Sequence, residues 1–288
     1  MKKTKWILAA VSAALLLGGA VLLFKDDAVQ KMSESRMDEF QPNPSVLTAL
    51  DELSVQTETA AGTQMTEDTA ETLVETNSDT STTESVPFVT SETLPAEVMQ
   101  ELIAQAEELN NTYPDAIGWL YIPGTNINYP IMQSADNDFY LHHAPDGRSL
   151  KAGSVFLDFR CENRFMNGVN IVYAHNMNNG TMFAGVTKFK DAGYFDSHRY
   201  GWLATSETVY RIDFFSAAVV DRYDSLYDGS VLSADWLPHL AEVSTIYEAS
   251  EFSDTDRFIS LSTCSYEFEN ARTVLTGKLT EMESDVNE

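Results

Sequence analysis

The stretch Arg257–Cys264 reads RFISLSTC and alternates large apolar side chains with small polar ones. Such alternation predicts a β-strand that turns one face toward a core. The pattern returns after a short loop in residues 272–279, RTVLTGKL, which predicts a second strand. Cys264 would then end one strand and Arg272 begin the next, so that a thiol and a permanent cation could face each other. A thiol beside a fixed positive charge is a candidate nucleophile with a partner for an oxyanion.

The chain from Ile117 onward favours strands over helices. Short apolar or alternating runs bounded by turn residues predict six further strands, at residues 117–122, 127–132, 154–158, 169–174, 208–220 and 243–248. Helical spacing predicts a helix from Pro95 that ends before Asn110, and shorter helices near residues 181–188 and 233–240. Many strands, few helices and no βαβ alternation predict a mainly β domain, most simply a barrel. No spacing typical of metal ligands occurs, and we expect neither a metal nor a cofactor.

The N-terminus is predicted to be a separate unit. Lysines at positions 2, 3 and 5 precede an unbroken apolar run, Trp6–Phe24. At ~1.5 Å per residue, a helix of this length spans about 28 Å, close to the hydrocarbon thickness of a bilayer. The lysines predict a cytoplasmic N-terminus, with the rest of the chain outside the cell. We therefore predict that residues 1–25 are a single-pass membrane anchor. A cleaved signal peptide is the alternative, although no convincing cleavage site follows the run.

After the anchor the composition changes to threonine, serine, glutamate and aspartate. Apolar residues are sparse over residues 26–95, so this segment cannot bury enough surface to offset its ordering entropy, and we predict a disordered acidic stalk. The formal net charge of −26 argues against nucleic acid as a partner. The folded domain is expected to cover residues 96–282, and residues 283–288 are expected to be a tail.

A base for the candidate thiol is sought among the five histidines of the chain. Only His175 ends a strongly apolar strand, at residues 170–174, and then enters a loop rich in asparagine. A rigid strand behind an imidazole and an open loop in front of it suit proton transfer. The second cysteine, Cys161, lies in a polar stretch typical of a loop. Because a nucleophilic Cys264 has to stay free, we expect no disulfide and no catalytic role for Cys161.

Five stretches together, in this order, resemble the sortases of class B. They are GWLYIPGTNINYP at residues 118–130, DNDFYLHH at 136–143, KAGSVFLD at 151–158, YAHNM at 173–177, and TC at 263–264 followed by Arg272. Each stretch is weakly specific alone, and the resemblance covers roughly residues 95–281. It implies a closed eight-stranded sortase-type β-barrel with an N-terminal helical extension, preceded by the transmembrane helix and the stalk.

For the activity, the resemblance implies a cysteine transpeptidase that cleaves a C-terminal sorting signal on an exported protein after threonine. Cys264 would attack the threonine carbonyl and form a thioacyl-enzyme, His175 would act as general acid and base, and Arg272 would stabilise the oxyanion or hold the signal. The acceptor would be an amine of a peptidoglycan precursor or, in pilus builders, a lysine side chain.

The resemblance also places Asn137, Leu141 and Ser262 in the groove that binds the signal. Each has another interpretation: Asn137 could cap a local turn, Leu141 could belong to the core, and Ser262 could simply alternate outward on its strand. Tyr266 stands where some class B members carry an acidic residue, which puts a carboxylate partner for His175 in doubt.

Two other functions stay open at this point. A hydrolytic cysteine peptidase of papain type would place its cysteine before its histidine, with a helix N-terminus behind the thiol, whereas here His175 precedes Cys264 and the thiol is on a strand. A non-catalytic stalked surface module would instead carry Cys264 as a buried, inert thiol.

Overall fold

The computed structural model describes residues 44–51, 93–229, 232–248 and 251–285. Within these residues the strands are β1 Thr93–Pro95, β2 Ala116–Tyr121, β3 Asn128–Met132, β4 Val155–Leu157, β5 Val169–Tyr173, β6 Tyr200–Ala204, β7 Val209–Asp221, β8 Ser244–Tyr247, β9 Arg257–Cys264, β10 Ala271–Glu281 and β11 Glu283–Asp285. The α-helices are α1 at residues 44–51, α2 Ala96–Thr112, α3 Ala192–Asp196 and α4 Trp236–Val243. Short 3-10 helices cover Phe139–Leu141, Phe183–Lys190 and Ser225–Tyr227.

Nine of the strands form one sheet in the order β10-β9-β5-β4-β3-β2-β6-β7-β8. A further antiparallel pairing between β7 and β10 closes this sheet, from Ala271 opposite Asp221 to Glu281 opposite Tyr210. Closure leaves eight strands around the barrel and β8 as an extra strand beside β7. The prediction of a mainly β, closed eight-stranded barrel is confirmed. Closure pairs two long strands whose polar backbone edges would otherwise be open.

The alternation along β9 determines which side chains fill the barrel. Ile259 and Leu261 belong to the central apolar core, where they join Leu275 of β10. Ser260 and Ser262 alternate with them along the strand and therefore face its other side. Burying one such aliphatic side chain contributes about 1.5–3 kcal/mol. A one-residue slip of β9 would exchange these faces, so the apolar pattern fixes its register.

Helices cover two parts of the outer surface of the barrel. α2 begins directly after Pro95, close to its predicted start, but continues past the predicted end before Asn110 to Thr112, and it packs Leu102 into a cluster that contains Trp119 of β2. α4 contributes Trp236 to a different cluster, where its indole stacks on Phe258 of β9 with ring centroids 5.7 Å apart. The N-terminal helical extension is therefore present.

Helix α1 differs from the expectation that residues 26–95 form a continuous disordered stalk. Its Val46 and Leu50 are buried in the same cluster as α2 and the barrel. Asp51 accepts a hydrogen bond of 2.6 Å from the hydroxyl of Tyr121, and burial together with Asp51 raises the pKa of Tyr121. Because the two apolar residues lie one helical turn apart, a single short helix is enough to dock this part of the predicted stalk.

The two ends of the predicted folded domain are joined by a small parallel sheet. β1 pairs with β11, with Leu94 opposite Ser284. The predicted tail at residues 283–288 therefore begins as a strand, and ordered structure starts before residue 96. The predicted anchor at residues 1–25 lies outside the described residues. Among the described ones, no helix is long and apolar enough to cross a membrane.

Candidate functional site

Three neighbouring strands of the barrel bring the predicted site residues to one place. β9 and β10 are antiparallel, and Cys264 lies directly opposite Arg272 in their register. β5 runs parallel to β9 on its other side, with Tyr173 opposite Ser262, so the chain reaches His175 just beyond the same end. The end of the barrel that carries Cys264 therefore also carries the imidazole and the guanidinium.

Two hydrogen bonds fix the junction between the end of β5 and the end of β9. The hydroxyl of Thr263 donates to the carbonyl of Ala174 over 2.8 Å, and the amide of Asn176 donates to the carbonyl of Cys264 over 2.9 Å. Each such bond is worth about 1 kcal/mol. They hold the residues on both sides of His175 against β9, so the backbone places the imidazole on a rigid support.

The imidazole of His175 is oriented by a backbone carbonyl. Its Nε2 lies 2.9 Å from the carbonyl oxygen of Leu141. Because a carbonyl can only accept, we assign the hydrogen to Nε2, which leaves Nδ1 as the nitrogen that can exchange a proton. Tyr266 is largely exposed, with 77% of its surface accessible. The orienting partner that a carboxylate supplies in some catalytic triads is here the backbone of Leu141.

Arg272 carries a positive charge that no carboxylate among the described residues pairs with. Its Nη1 donates to the carbonyls of Ala271 and Asn270, over 2.9 and 3.3 Å. Within the described parts of the chain, no carboxylate lies within ion-pair distance of this guanidinium. Neutral carbonyls orient the side chain without cancelling its charge, so the charge remains available to a substrate oxyanion.

The three residues assigned to the groove by resemblance occupy different environments. Ser262 is buried, with 1% of its surface exposed, and its hydroxyl lies 2.8 Å from that of Tyr227. Asn137 uses both ends of its amide within the protein, donating to Asp158 over 3.0 Å and accepting from the backbone of Phe159 over 3.0 Å. The side chain of Leu141 is half-buried beside the cluster around Tyr140, while its carbonyl orients His175.

Tyr227 is a neighbour of the site to which the sequence assigned no role of its own. It lies between Asp221 and Pro238 and forms part of the 3-10 helix Ser225–Tyr227. Burial raises the pKa of its hydroxyl, although the hydrogen bond with Ser262 and the charge of Arg272 act in the opposite direction. Aromatic enrichment of this segment was the only signal available, and it does not distinguish Tyr227 from Tyr223.

The arrangement supplies the groups that acyl transfer requires. Cys264 is half-buried and therefore accessible, unlike a thiol sealed in the core. An oriented imidazole and a fixed cation stand at the same end of the barrel. In the part of the chain that the structure describes, no group of three or more His, Cys, Asp or Glu side chains could hold a metal ion. A thiol, an imidazole and a guanidinium can serve in acyl transfer as a nucleophile, a proton carrier and an oxyanion partner.

We predict that an alkylating reagent distinguishes the two free thiols. Cys161 is buried, its sulfur lies 3.7 Å from the carbonyl of Val169, and burial raises the pKa of the Cys161 thiol to about 11. A raised pKa keeps the thiol neutral, so at pH 8 only about one Cys161 in a thousand is the reactive thiolate. Iodoacetamide is expected to modify Cys264 alone in the folded protein and both cysteines after unfolding in urea, as read by peptide mass spectrometry.

The control for this experiment is Cys264→Ala, which should take up no label while folded. Modification of Cys161 in that variant, at a rate similar to that of Cys264 in the unaltered protein, would contradict the burial of Cys161.

Comparison with known proteins identifies relatives of this chain. It is 35% identical over 185 residues to Sortase B of Listeria monocytogenes, an alignment that covers 62% of this chain and 75% of the relative. Its fold resembles a Staphylococcus aureus sortase B–substrate complex, with a TM-score of 0.58, 27% identity, and coverage of 62% of this chain and 86% of that one. It also resembles a Streptococcus pyogenes class B sortase involved in pilus biogenesis, with a TM-score of 0.56, 28% identity, and coverage of 60% and 96%. No protein-family model matches the chain.

Sequence and structure agree in these comparisons. The identity of 35% extends over 75% of the Listeria relative, which is most of that protein. The solved class B structures share the barrel described above. Sortases are cysteine transpeptidases, and the thiol, imidazole and guanidinium at one end of this barrel are consistent with such chemistry. This chain belongs to the class B sortases.

Proposed function

We propose that this chain is a cell-surface sortase that cleaves a C-terminal sorting signal on exported proteins after threonine and transfers the cleaved protein to an amine. The acceptor amine belongs to a peptidoglycan precursor or to a pilin lysine. The observation that carries the proposal is the register that sets Cys264 opposite Arg272, with His175 at the end of the adjoining strand. The S. aureus relative is described as a substrate complex, which supports binding of a substrate by a barrel of this kind.

In the first half of the reaction, the thiolate of Cys264 attacks the threonine carbonyl. A C–S bond forms and the carbonyl oxygen becomes an oxyanion, which the positive charge and N–H groups of the Arg272 guanidinium stabilise. When the intermediate collapses, the C–N bond breaks and the imidazolium of His175 gives its proton to the leaving amine. The products are a thioacyl-enzyme and the released C-terminal peptide.

In the second half, the neutral imidazole of His175 takes a proton from the incoming amine. That amine attacks the thioester carbon, a new C–N bond forms, and the C–S bond breaks to regenerate the thiolate of Cys264. Water can replace the amine, in which case the enzyme acts as a hydrolytic peptidase. The partition between amine and water therefore decides between the proposed function and its hydrolytic alternative.

The position of α1 bears on where this reaction takes place. We place residues 1–25 in the membrane, with the N-terminus in the cytoplasm and the catalytic domain outside. Because α1 packs on the barrel, we infer a spacer between the anchor and the folded protein that is shorter than residues 26–95. A shorter spacer keeps the barrel nearer to substrates that arrive through, or are carried in, the same membrane.

The test uses the chain without residues 1–25 and a panel of sorting-type peptides, with and without an added amine. Mass spectrometry should show an acyl adduct on Cys264 and, when the amine is present, a ligated product. Cleavage to the free acid alone with every amine tested would favour a peptidase. The absence of an adduct with every peptide would favour a non-catalytic surface module.

Replacing Arg272 with lysine is expected to lower kcat/KM by about 10²-fold, a loss typical of one oxyanion donor. Lysine keeps the charge but lacks the planar guanidinium. The guanidinium of Arg272 can bind two acceptor atoms and still donate to the carbonyl of Ala271. The control is Arg222→Lys, because Arg222 is exposed and its guanidinium lies 4.7 Å from the ring centroid of Tyr223. Activity of Arg272→Lys equal to that of the control would show that charge alone is enough.

A further inference from the structure

Asp158 and Arg160 form an ion pair that has no place in the mechanism above. Asp158 follows β4 and is completely buried. Its carboxylate accepts two parallel hydrogen bonds from the guanidinium of Arg160, Nε to Oδ1 over 2.9 Å and Nη2 to Oδ2 over 2.8 Å. Burial by itself would raise the pKa of Asp158, but the hydrogen bonds from Arg160 and Asn137 outweigh it, and the pKa lies below its ordinary value. The carboxylate is therefore ionised at neutral pH and held in one orientation.

The pair connects separate parts of the chain. Oδ2 of Asp158 also accepts hydrogen bonds from the amide of Asn137 over 3.0 Å and from the hydroxyl of Tyr173 over 3.1 Å. Nη2 of Arg160 in turn donates to the backbone carbonyl of Tyr227 over 2.9 Å. The planar guanidinium can make the bidentate pair and the bond to this carbonyl at once, which a lysine ammonium cannot reproduce in the same geometry.

Tyr227 extends the connection to the strand that carries the thiol. Its hydroxyl lies 2.8 Å from the hydroxyl of Ser262, and its ring stacks on Tyr173 with centroids 6.3 Å apart and planes at 28°. Ser262 and Cys264 are two positions apart on β9, so their side chains lie on the same face of the strand. The position of Tyr227 therefore defines the surface immediately beside Cys264.

Stability alone does not explain this geometry. A buried ion pair is often no more stabilising than well-packed apolar side chains, because desolvation offsets the attraction between the charges. The pair also fixes the backbone carbonyl of Tyr227. The side chain that binds this carbonyl belongs to Arg160, which is otherwise exposed. Such an arrangement fixes the position of the segment that carries Tyr227, and a binding surface requires groups that are held in fixed positions.

We propose that Arg160 is a positioning residue for signal binding: paired with Asp158, it holds Tyr227 and Asn137 as one wall of the groove that receives the sorting signal. This inference rests on the proposed function. The hydrogen bonds of Arg160 go to Asp158 and to the backbone of Tyr227. Arg160 therefore acts through its neighbours and takes no part in the bond-breaking steps.

The test compares Arg160→Lys with the unaltered chain lacking residues 1–25, using the peptide that gives the strongest acyl adduct. KM is expected to rise about tenfold, the loss typical of one misplaced hydrogen-bonding contact, with kcat within about twofold. Tyr227→Phe should raise KM as well, and the double variant should be no worse than the more affected single variant.

The matched control is Arg164→Lys. Arg164 lies in the same loop as Arg160, and its guanidinium forms an exposed ion pair with Glu207 over 3.0 Å. An exposed pair of this kind contributes little to stability. The control should therefore keep both KM and kcat, and it separates a specific effect of Arg160 from a general effect of changing arginine in this loop.

An unchanged KM in Arg160→Lys would overturn the inference, as would a fall in kcat at constant KM or strictly additive effects with Tyr227→Phe. If Arg160→Lys does not fold, the neutral pair Asp158→Asn with Arg160→Gln avoids a lone buried charge, and the same KM and kcat criteria apply to it. If the unaltered chain forms no adduct with any peptide, the proposed function itself is refuted. An active unaltered chain with an unchanged KM in the variant refutes the role of Arg160 only.

Discussion

Cys264→Ala is expected to abolish both the acyl adduct and the ligated product while leaving the fold intact. Alanine retains the backbone carbonyl that accepts from Asn176, so the junction between β5 and β9 should persist. The side chain is half-buried, and its removal leaves at most a small cavity. Removing a nucleophile from a unit of this kind lowers kcat by at least about 10⁴-fold. Mass spectrometry of the products, with thermal melting as the check on folding, measures this result.

The matched control is Cys161→Ala, which removes the other thiol of the chain. Cys161 is buried and its sulfur lies 3.7 Å from the carbonyl of Val169, so its loss should lower stability slightly and leave turnover unchanged. Adduct formation by folded Cys264→Ala would remove Cys264 from the mechanism. Loss of activity in folded Cys161→Ala would show that the two thiols had been assigned the wrong way round.

Strands with a regular alternation could be predicted from the sequence, and those without it could not. β9 and β10 lie close to their predicted bounds because apolar residues on one face of each strand, Ile259 and Leu261 of β9 and Leu275 and Leu279 of β10, enter the central core. β6 was missed because Gly201 interrupts its pattern. A Cβ on Gly201 would lie 3.3 Å from both Ile122 and Phe214, so neighbouring side chains take the space that a larger residue would need. The need for glycine at position 201 therefore becomes visible only in the assembled barrel.

The N-terminal segment also shows that local composition does not predict packing against distant residues. Residues 26–95 as a whole are too polar to form a core, which is why they are predicted to be a stalk. Val46 and Leu50 are nevertheless buried, because α2 and the aromatic residues of the barrel provide the apolar surface against which they pack. The surface on which α1 packs is built from residues distant in sequence, so the local sequence of α1 does not reveal it.

Within the site, residues at strand ends could be predicted, and residues placed by tertiary contacts could not. Cys264, Arg272 and His175 stand where a strand pattern stops or starts, and strand pairing then sets the first two opposite each other. Tyr227 reaches Ser262 from 35 positions away along the chain, through a 3-10 helix with no periodic pattern. Arg160 resembled an ordinary loop arginine in the sequence, since its second partner is a backbone carbonyl.

His175→Ala is expected to lower kcat/KM for an amide substrate by about 10³-fold or more, the range for loss of a general acid and base. The leaving nitrogen needs a proton when the C–N bond breaks, and the imidazole held by the carbonyl of Leu141 is the group placed to give it. The matched control is His142→Ala. His142 is exposed and its ring centroid lies 6.4 Å from that of His175, so its replacement removes a neighbouring imidazole without touching the contact to Leu141.

A second substrate separates acid catalysis from a general disturbance of the site. In an analogue with an ester at the scissile bond, the leaving alkoxide is a far weaker base than an amide anion and depends less on a proton donor. The loss caused by His175→Ala should therefore be several-fold smaller for the ester than for the amide, whereas Cys264→Ala should abolish both reactions. An equal loss for ester and amide would mean that His175 acts mainly by activating the thiol, and full activity on the amide would remove His175 from the mechanism.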